Sequence, residues 1–498
     1  MNNKKATKRA LLTSVMALVM CVVMLVGTTF AWFTDTASTG VNKIVAGNLK
    51  VDIVNEAGTG SIQKSGLEFV SVDKVTKGEA ILWEPNCTYL TEGFQIKNAG
   101  NLALKWKVEI NKDRVTNSVV GSEATPSKSL LEVIDFSIVD ADGSAVSIDE
   151  FTGHILPADN ERNTGLSGVY KIKAHMDANA GNDYQNLTLS GITITVYATQ
   201  DTVENDSFDN TYDKDAEYPI SVTTGDELQA IVSNATAPVN IVLTNNITTN
   251  NFVIPADKDV TLDLNGCTVT NAGSHTILNK GHLTLTDSSA DKSGQIISLK
   301  GNTAALRNGD NAVCVVEGGT ISRDGANGNT WHVVENFGKM TFNGGKVVLT
   351  HGNGFAITNG WNYMDPGAST THAVMEINAL ELDTDSSGIK NCRYGDLTVN
   401  DVTVNSTGYW ALSNDYLGTA VINGGTLTSS SFKAVSNGAA MTVNGGTFVG
   451  TEGFFVQSYA TSTVLNGGTF ANMNVDALSS YVGAGHTAQQ SGTSVIIK

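Results

Sequence analysis

The side chains best placed to do chemistry are charged residues bunched in the second half of the chain. Asp383, Asp385, Lys390, Arg393 and Asp396 fall within one short stretch, and Arg323 with Asp324 forms a second group shortly after Glu317. Two carboxylates flanking a glycosidic bond would make a hydrolase. Acidic residues beside a base, often around a metal ion, would serve a lyase. His351 and His372 stand singly and have no metal-ligand spacing. Charged groups on a repetitive scaffold are usually solvated, so a non-catalytic protein is the leading reading and a carbohydrate-active enzyme the alternative. Binding chemistry has its own candidates: Trp361, Tyr363 and Met364 lie in a segment, 359–371, that lengthens one repeat, while Trp331 and Trp410 lie on other repeats. Exposed aromatic rings are platforms for sugars or protein partners, and the other reading is that they pack the segment against the scaffold.

The element that positions these residues is a repeat. An apolar-x-apolar-Asn pattern places Asn265, Asn343, Asn378, Asn400, Asn423, Asn444 and Asn466 at equivalent corners, with Glu317 in the same place once. From Asn378 onward the corners are separated by 22, 23, 21 and 22 residues. That period with alternating strands predicts a β-solenoid of about twelve turns, a rod on the order of 55 Å long at the ~4.8 Å strand spacing. Gly-Gly after the corner Asn permits positive φ, and stacked Asn side chains can bond from turn to turn. Cys267 and Cys314 read as structural. Such a solenoid resembles the pectate-lyase-like right-handed parallel β-helix superfamily, which holds polysaccharide lyases, hydrolases, phage tailspikes and non-catalytic adhesins.

The remaining features concern export and the first domain. The chain has 498 residues, 50 of them Gly, and a formal net charge of −18 with only 31 Lys plus Arg. This acidity argues against a nucleic-acid partner. Lys4, Lys5, Lys8 and Arg9 precede an apolar run from Leu11 to Val26, with small residues leading to Ala31. That is a secretory signal over 1–31, cleaved between Ala31 and Trp32, with an uncleaved anchor as the alternative. No membrane span follows it, so the expected location is the extracellular matrix or cell surface of a bacterium.

From residue 32 to about 200, short strands alternate with polar turns. Leu104, Trp106, Val108 and Ile110 share one face, and Ile192, Ile194 and Val196 another, with a bend at Gly191. Ala31 to Asp35, Val45 to Leu49, Phe94 to Asn101 and Ala198 to Gln200 resemble the camelysin/TasA family of exported matrix proteins. The resemblance implies a jelly-roll-like β-sandwich that can self-assemble into fibres, an N-terminal segment completing the neighbouring subunit. The large second domain departs from that family. His154 is isolated, and His175, Asp177, Asn182, Tyr184 and Gln185 read as a turn rather than a site.

Residues 201–217 read as an acidic linker, with a calcium site as the minor alternative. Asp226 to Ala235 reads as a helix capped by Thr224 that closes the start of a solenoid spanning 218–498. The expectation is an all-β, non-catalytic adhesin or biofilm-matrix component. It would need no cofactor and would bind a polysaccharide, a surface protein or its own copies.

Overall fold

Alternating apolar residues and turn residues dictate strands, and strands fill nearly all of the described chain. The computed structural model describes residues 49–498 apart from 71–80, 113–114, 122–125, 148–150, 159–162, 202–217, 327–330 and 362–371. The signal segment with its Ala31–Trp32 bond, nearly all of the acidic linker, and Tyr363 and Met364 lie outside the described residues.

Up to Gln200 the strand pairing is antiparallel. A seven-stranded sheet includes Val51–Asn55, Phe94–Asn98, Ile134–Asp140 and Tyr170–Met176, and a three-stranded sheet is ordered Thr193–Gln200, Leu104–Asn111, Thr152–Ile155. Alternation along Leu104–Asn111 buries Leu104, Trp106 and Val108, which cluster with Ile96 and Ile138 of the larger sheet. The Trp106 ring packs edge-on against Phe151. It also needs Gly153, where a Cβ would sit 2.5 Å from the indole. At Gly191 φ is +88°, and the strands on either side, Leu187–Ser190 and Thr193–Gln200, join different sheets.

From Ile220 the pairing turns parallel and builds a β-solenoid of about 10 turns. Each turn visits three sheets in order. The first holds 11 strands from Ile220–Val222 to Ser462–Leu465, and the third holds nine from Val253–Ile254 to Phe454–Val456. The expected twelve turns are too many because the coils between His282 and Ala373 are long. First-sheet strands at His282, Val313, Lys339 and Ala373 begin 31, 26 and 34 residues apart, against 21–24 for the later ones. The last residues also form no coil. Val475–Leu478 starts a short helical segment, and the hairpin Ala488–Ser491/Ser494–Ile497 adds antiparallel strands to the second sheet through Gly468–Ala471.

Inward positions stack in columns. In the third sheet Ile277, Leu306, Val334, Ile357, Ile389, Leu412, Val435 and Phe454 lie in register, all within one continuous core. Each such side chain taken fully from water contributes about 1.5–3 kcal/mol. The helix Gly225–Asn234 adds Leu228 and Val232 to this core. Its Thr224 accepts the Glu227 amide, which satisfies a helix-start donor.

Two asparagine columns run along the rod. At the corner after the first sheet, Nδ2 of Asn343 donates to Glu317 Oε1, and Asn378, Asn400, Asn423, Asn444 and Asn466 each donate to the preceding corner Asn at 2.7–2.9 Å. This column is exposed. Asn265 stands outside it, donating instead to Leu243 O, and Asp287 takes the following corner with its carboxylate accepting the Gly266, Ser289 and Gly294 amides. At Gly345, Gly425, Gly446 and Gly468, two residues after the corner Asn, φ is between 93° and 115°. The second column closes the third sheet. Asn279, Asn308, Asn336, Asn359, Asn391 and Asn414 each donate to the next Asn, ending at Asn437, with every Nδ2–Oδ1 distance between 2.7 and 2.9 Å. All seven are buried.

Candidate functional site

The fold separates the charged residues that lie close together in sequence. Asp383 points outward from the second sheet, where Lys346 and the Asn405 amide bind it. Asp385 accepts the Gly352 amide in the loop between second and third sheets. Lys390 belongs to the third sheet and pairs with Asp415 at 3.2 Å. Arg393 sits over the Tyr416 ring, and Asp396 belongs to the first sheet, paired with His372 at 2.9 Å. These five do not converge in one groove. Arg323 and Asp324 also part: Arg323 is buried and donates to Ser298 Oγ at 2.8 Å and to the Thr303 carbonyl, while Asp324 meets His351 Nδ1 at 2.8 Å on the surface. Burial pulls the Arg323 guanidinium down to about 10. The Ala326 amide and His351 hold Asp324 below the usual carboxylate range, and Asp324 raises His351 above the usual imidazole value.

The other candidates fall as follows. Trp361 forms an isolated antiparallel bridge to Arg393, and its ring lies 4.7 Å from that of Phe337. It therefore packs against the rod, with its buried indole N–H meeting no acceptor among the described residues. His175 lies in the strand Tyr170–Met176 and not in a turn, its Nδ1 contacting Thr88 Oγ1; Asp177 accepts the Asn179 amide just after that strand, Tyr184 ends the 3-10 segment Asn182–Tyr184 and donates to Glu132, and Gln185 donates to Asn182. His154 meets Asp201 Oδ2 at 2.7 Å. Among the described residues no group of three or more His, Cys, Asp or Glu side chains is arranged to hold a metal, and no helix is long and apolar enough to cross a membrane. Burial pushes the thiols of Cys314 and Cys392 up to about 12, which removes their thiolate chemistry.

What the fold does gather lies on the outer face of the third sheet. Arg307, Glu335, Thr358, Lys390, Ser413, Ser436 and Phe455 occupy one register row pointing away from the core. Upstream, Glu335 is only 4% exposed and accepts from Arg307 at 2.9 Å and from Trp331 Nε1 at 3.1 Å. His332 Nδ1 donates to the Phe355 carbonyl, and desolvation lowers its pKa, as it does for His275.

Downstream, aromatic rings crowd both flanks. Trp410 lies 4.7 Å from Phe432 and stacks 6.2 Å from Phe455, which follows the buried Ser413 and Ser436 in the register row. Lys433 Nζ sits 3.5 Å from the Phe455 centroid and pairs with Glu452 at 3.0 Å. On the other flank Tyr459 Oη lies 3.5 Å from Asp415. Of the residues in this row and its flanks, only Lys390, Arg393, Trp331, Trp361 and Trp410 are singled out by the sequence. The usable signal was positional: Arg307, Glu335, Lys390, Ser413 and Ser436 each precede a buried-column Asn.

A cavity of about 750 Å³ lies between the antiparallel strands and the first solenoid coils, lined by Asp52, Thr193, Thr195, Asp263, Asn265 and Asp291 among others. The strand Thr193–Gln200 pairs only with Leu104–Asn111, so its second edge has no partner strand among the described residues. Set against protein-family models and against curated proteins, the chain matches none.

Proposed function

We propose that this chain is a non-catalytic secreted or cell-surface protein, an adhesin or biofilm-matrix component whose right-handed parallel β-helix binds a polysaccharide. The observation that carries this reading is the contrast on the rod: acid–base candidates are dispersed over three faces, whereas aromatic rings collect on one. Sugar rings stack on aromatic faces, and a row of short turns presents such faces at regular intervals. Export through cleavage between Ala31 and Trp32 belongs to the same reading. A glycan-array screen of the protein, with product analysis on each hit, tests it. Binding with the glycan left intact supports it; cleavage products would establish an enzyme instead.

A second reading, the fibre subunit, has one observation in its favour. The edge of Thr193–Gln200 that has no partner strand among the described residues belongs to a strand lining the cavity described above, and an open strand edge is a template for an added strand. In this reading the antiparallel sheets form a jelly-roll-like sandwich, supported by the shared cluster of Ile96, Ile138, Leu104 and Trp106. Electron microscopy of concentrated protein beginning at Trp32 tests it, and an absence of concentration-dependent filaments counts against it.

A further inference from the structure

We infer that the polysaccharide site is the downstream part of the third-sheet face, between Tyr409 and Tyr459, and that it takes an uncharged glycan chain lying along the rod. This inference rests on the polysaccharide-binding reading. Its first support is where exposed rings occur. Among the described residues the aromatic side chains most open to water are Tyr409 at 58%, Tyr416 at 54% and Tyr459 at 54%, and all three flank this one face. The large apolar side chains exposed on the solenoid's other faces, Ile220, Leu299, Val374 and Val449, are aliphatics far apart in the chain.

The second support is that the rings are held. A Cβ added at Gly438 would meet the Tyr459 ring at 2.6 Å, so the backbone there packs directly against that ring. The Arg393 guanidinium stands 5.1 Å from the Tyr416 centroid and backs that ring. Tyr409 leans edge-on against Phe432 at 5.8 Å. A ring with one face supported by protein loses little freedom when a ligand covers the other, which favours stacking. Successive turns lie about 4.8 Å apart, so the flanks run along the axis for several turns and suit a chain rather than a single sugar.

The third support concerns charge. Lys390 pairs with Asp415 and Lys433 with Glu452, so both lysines on this face are matched by carboxylates. The whole chain carries −18, which repels an anionic polymer. Hydroxyl-rich chains need donors and acceptors at the rim instead, and Gln457, bonded to Ser436 Oγ at 3.1 Å, and Asp415 supply them.

Affinity electrophoresis of the exported protein in gels containing a soluble uncharged β-glucan, a galactomannan or polygalacturonate tests the site and the class together. An uncharged glycan should retard the protein. The double variant Tyr416→Ala/Tyr459→Ala should weaken that retardation about tenfold or more, from roughly 1.4 kcal/mol of lost stacking. Tyr416→Phe/Tyr459→Phe should bind within about twofold of the parent, because the rings remain. Equal unfolding temperatures guard against misfolding, and Tyr409→Ala on the opposite flank provides an independent loss. If the alanine variants bind as the parent does, the site is wrong while the polysaccharide reading stands. Retardation by polygalacturonate alone overturns the uncharged class. No retardation by any of the three polymers overturns both this inference and the reading beneath it.

Discussion

The two asparagine columns use the same side chain, the same stacking and nearly the same 2.7–2.9 Å bonds, yet they do different work. In the exposed corner column each Asn from Asn378 on donates to the corner Asn before it, as Asn423 does to Asn400, and water competes for the bond. In the buried column each Asn also satisfies main-chain carbonyls. Asn391 donates to Asn414 and to the carbonyls of Gly395 and Thr419, and accepts from Asn359. Those bonds are made where the chain leaves the third sheet, by an Asn that is itself fully buried. A hydrogen bond shared with solvent contributes little, while one that alone satisfies a buried group is expensive to lose. The donors even run in opposite directions along the rod, downstream in the buried column and upstream in the exposed one. The solenoid is therefore held at one corner by side chains that replace solvent and decorated at the other by side chains that supplement it.

The largest effect should come from breaking the buried column in its middle. Asn391→Ala leaves the Asn414 carbonyl oxygen and two backbone carbonyls short of donors, and should destabilise the solenoid by about 3 kcal/mol in denaturant titrations. A loss below about 1 kcal/mol would mean that the column is not what closes that corner.

Arg323 extends the comparison to a buried cation. Arg323→Met removes the donors to Ser298 and the Thr303 carbonyl and should destabilise by about 2 kcal/mol, read the same way. The exposed equivalent, Asn423→Ala, should change stability by no more than about 0.5–1 kcal/mol. Equal losses for Asn391→Ala and Asn423→Ala would abolish the distinction between the columns.

Histidines repeat the contrast as a pH effect. Burial lowers the His332 pKa, so the unfolded chain binds the proton more readily. The contribution to stability is present above the ordinary imidazole value of about 6.5 and is lost as pH falls below it toward the depressed value. His332→Gln should flatten that acid limb in urea titrations across the window. The exposed His351 has the opposite sign: Asp324 raises its pKa, so its small contribution is present at acid pH and fades as pH rises through the raised value. Proton NMR titration should place His351 above a free imidazole, and Asp324→Asn should return it. An unshifted His351 in the parent would remove the pair.

The columns also show why one half of the scaffold was legible and the other was not. Asn-Gly-Gly marks a corner because the local conformation demands those residues: positive φ at Gly425 or Gly446 needs no knowledge of a neighbouring turn. The buried column leaves no such trace. Residues following its asparagines are as different as Lys280, Gly309, Phe337, Cys392 and Asp415. Its spacing is uneven because connections of different length enter at more than one corner: 13 residues separate Phe355–Asn359 from Ala373–Ile377, and eight separate His282–Thr286 from Gln295–Ser298. What defines these asparagines is the carbonyls they meet one coil away.

The candidate site shows the same limit more sharply. Asp383, Lys390 and Asp396 are near in sequence, but a chain that visits three faces every 22 or so residues sends such neighbours to different sides. Partners instead lie about one coil apart, as Lys390 does from Asp415 and Asp383 from Asn405. Periodicity and corner chemistry were therefore enough to determine that the chain winds into a β-solenoid, since each turn must bury its alternate apolar residues against the next. Which side chains share a face, which asparagines replace solvent, and where the aromatic rings gather were decided only by the stacking of coils. Contact there is set by register between turns and not by distance along the chain.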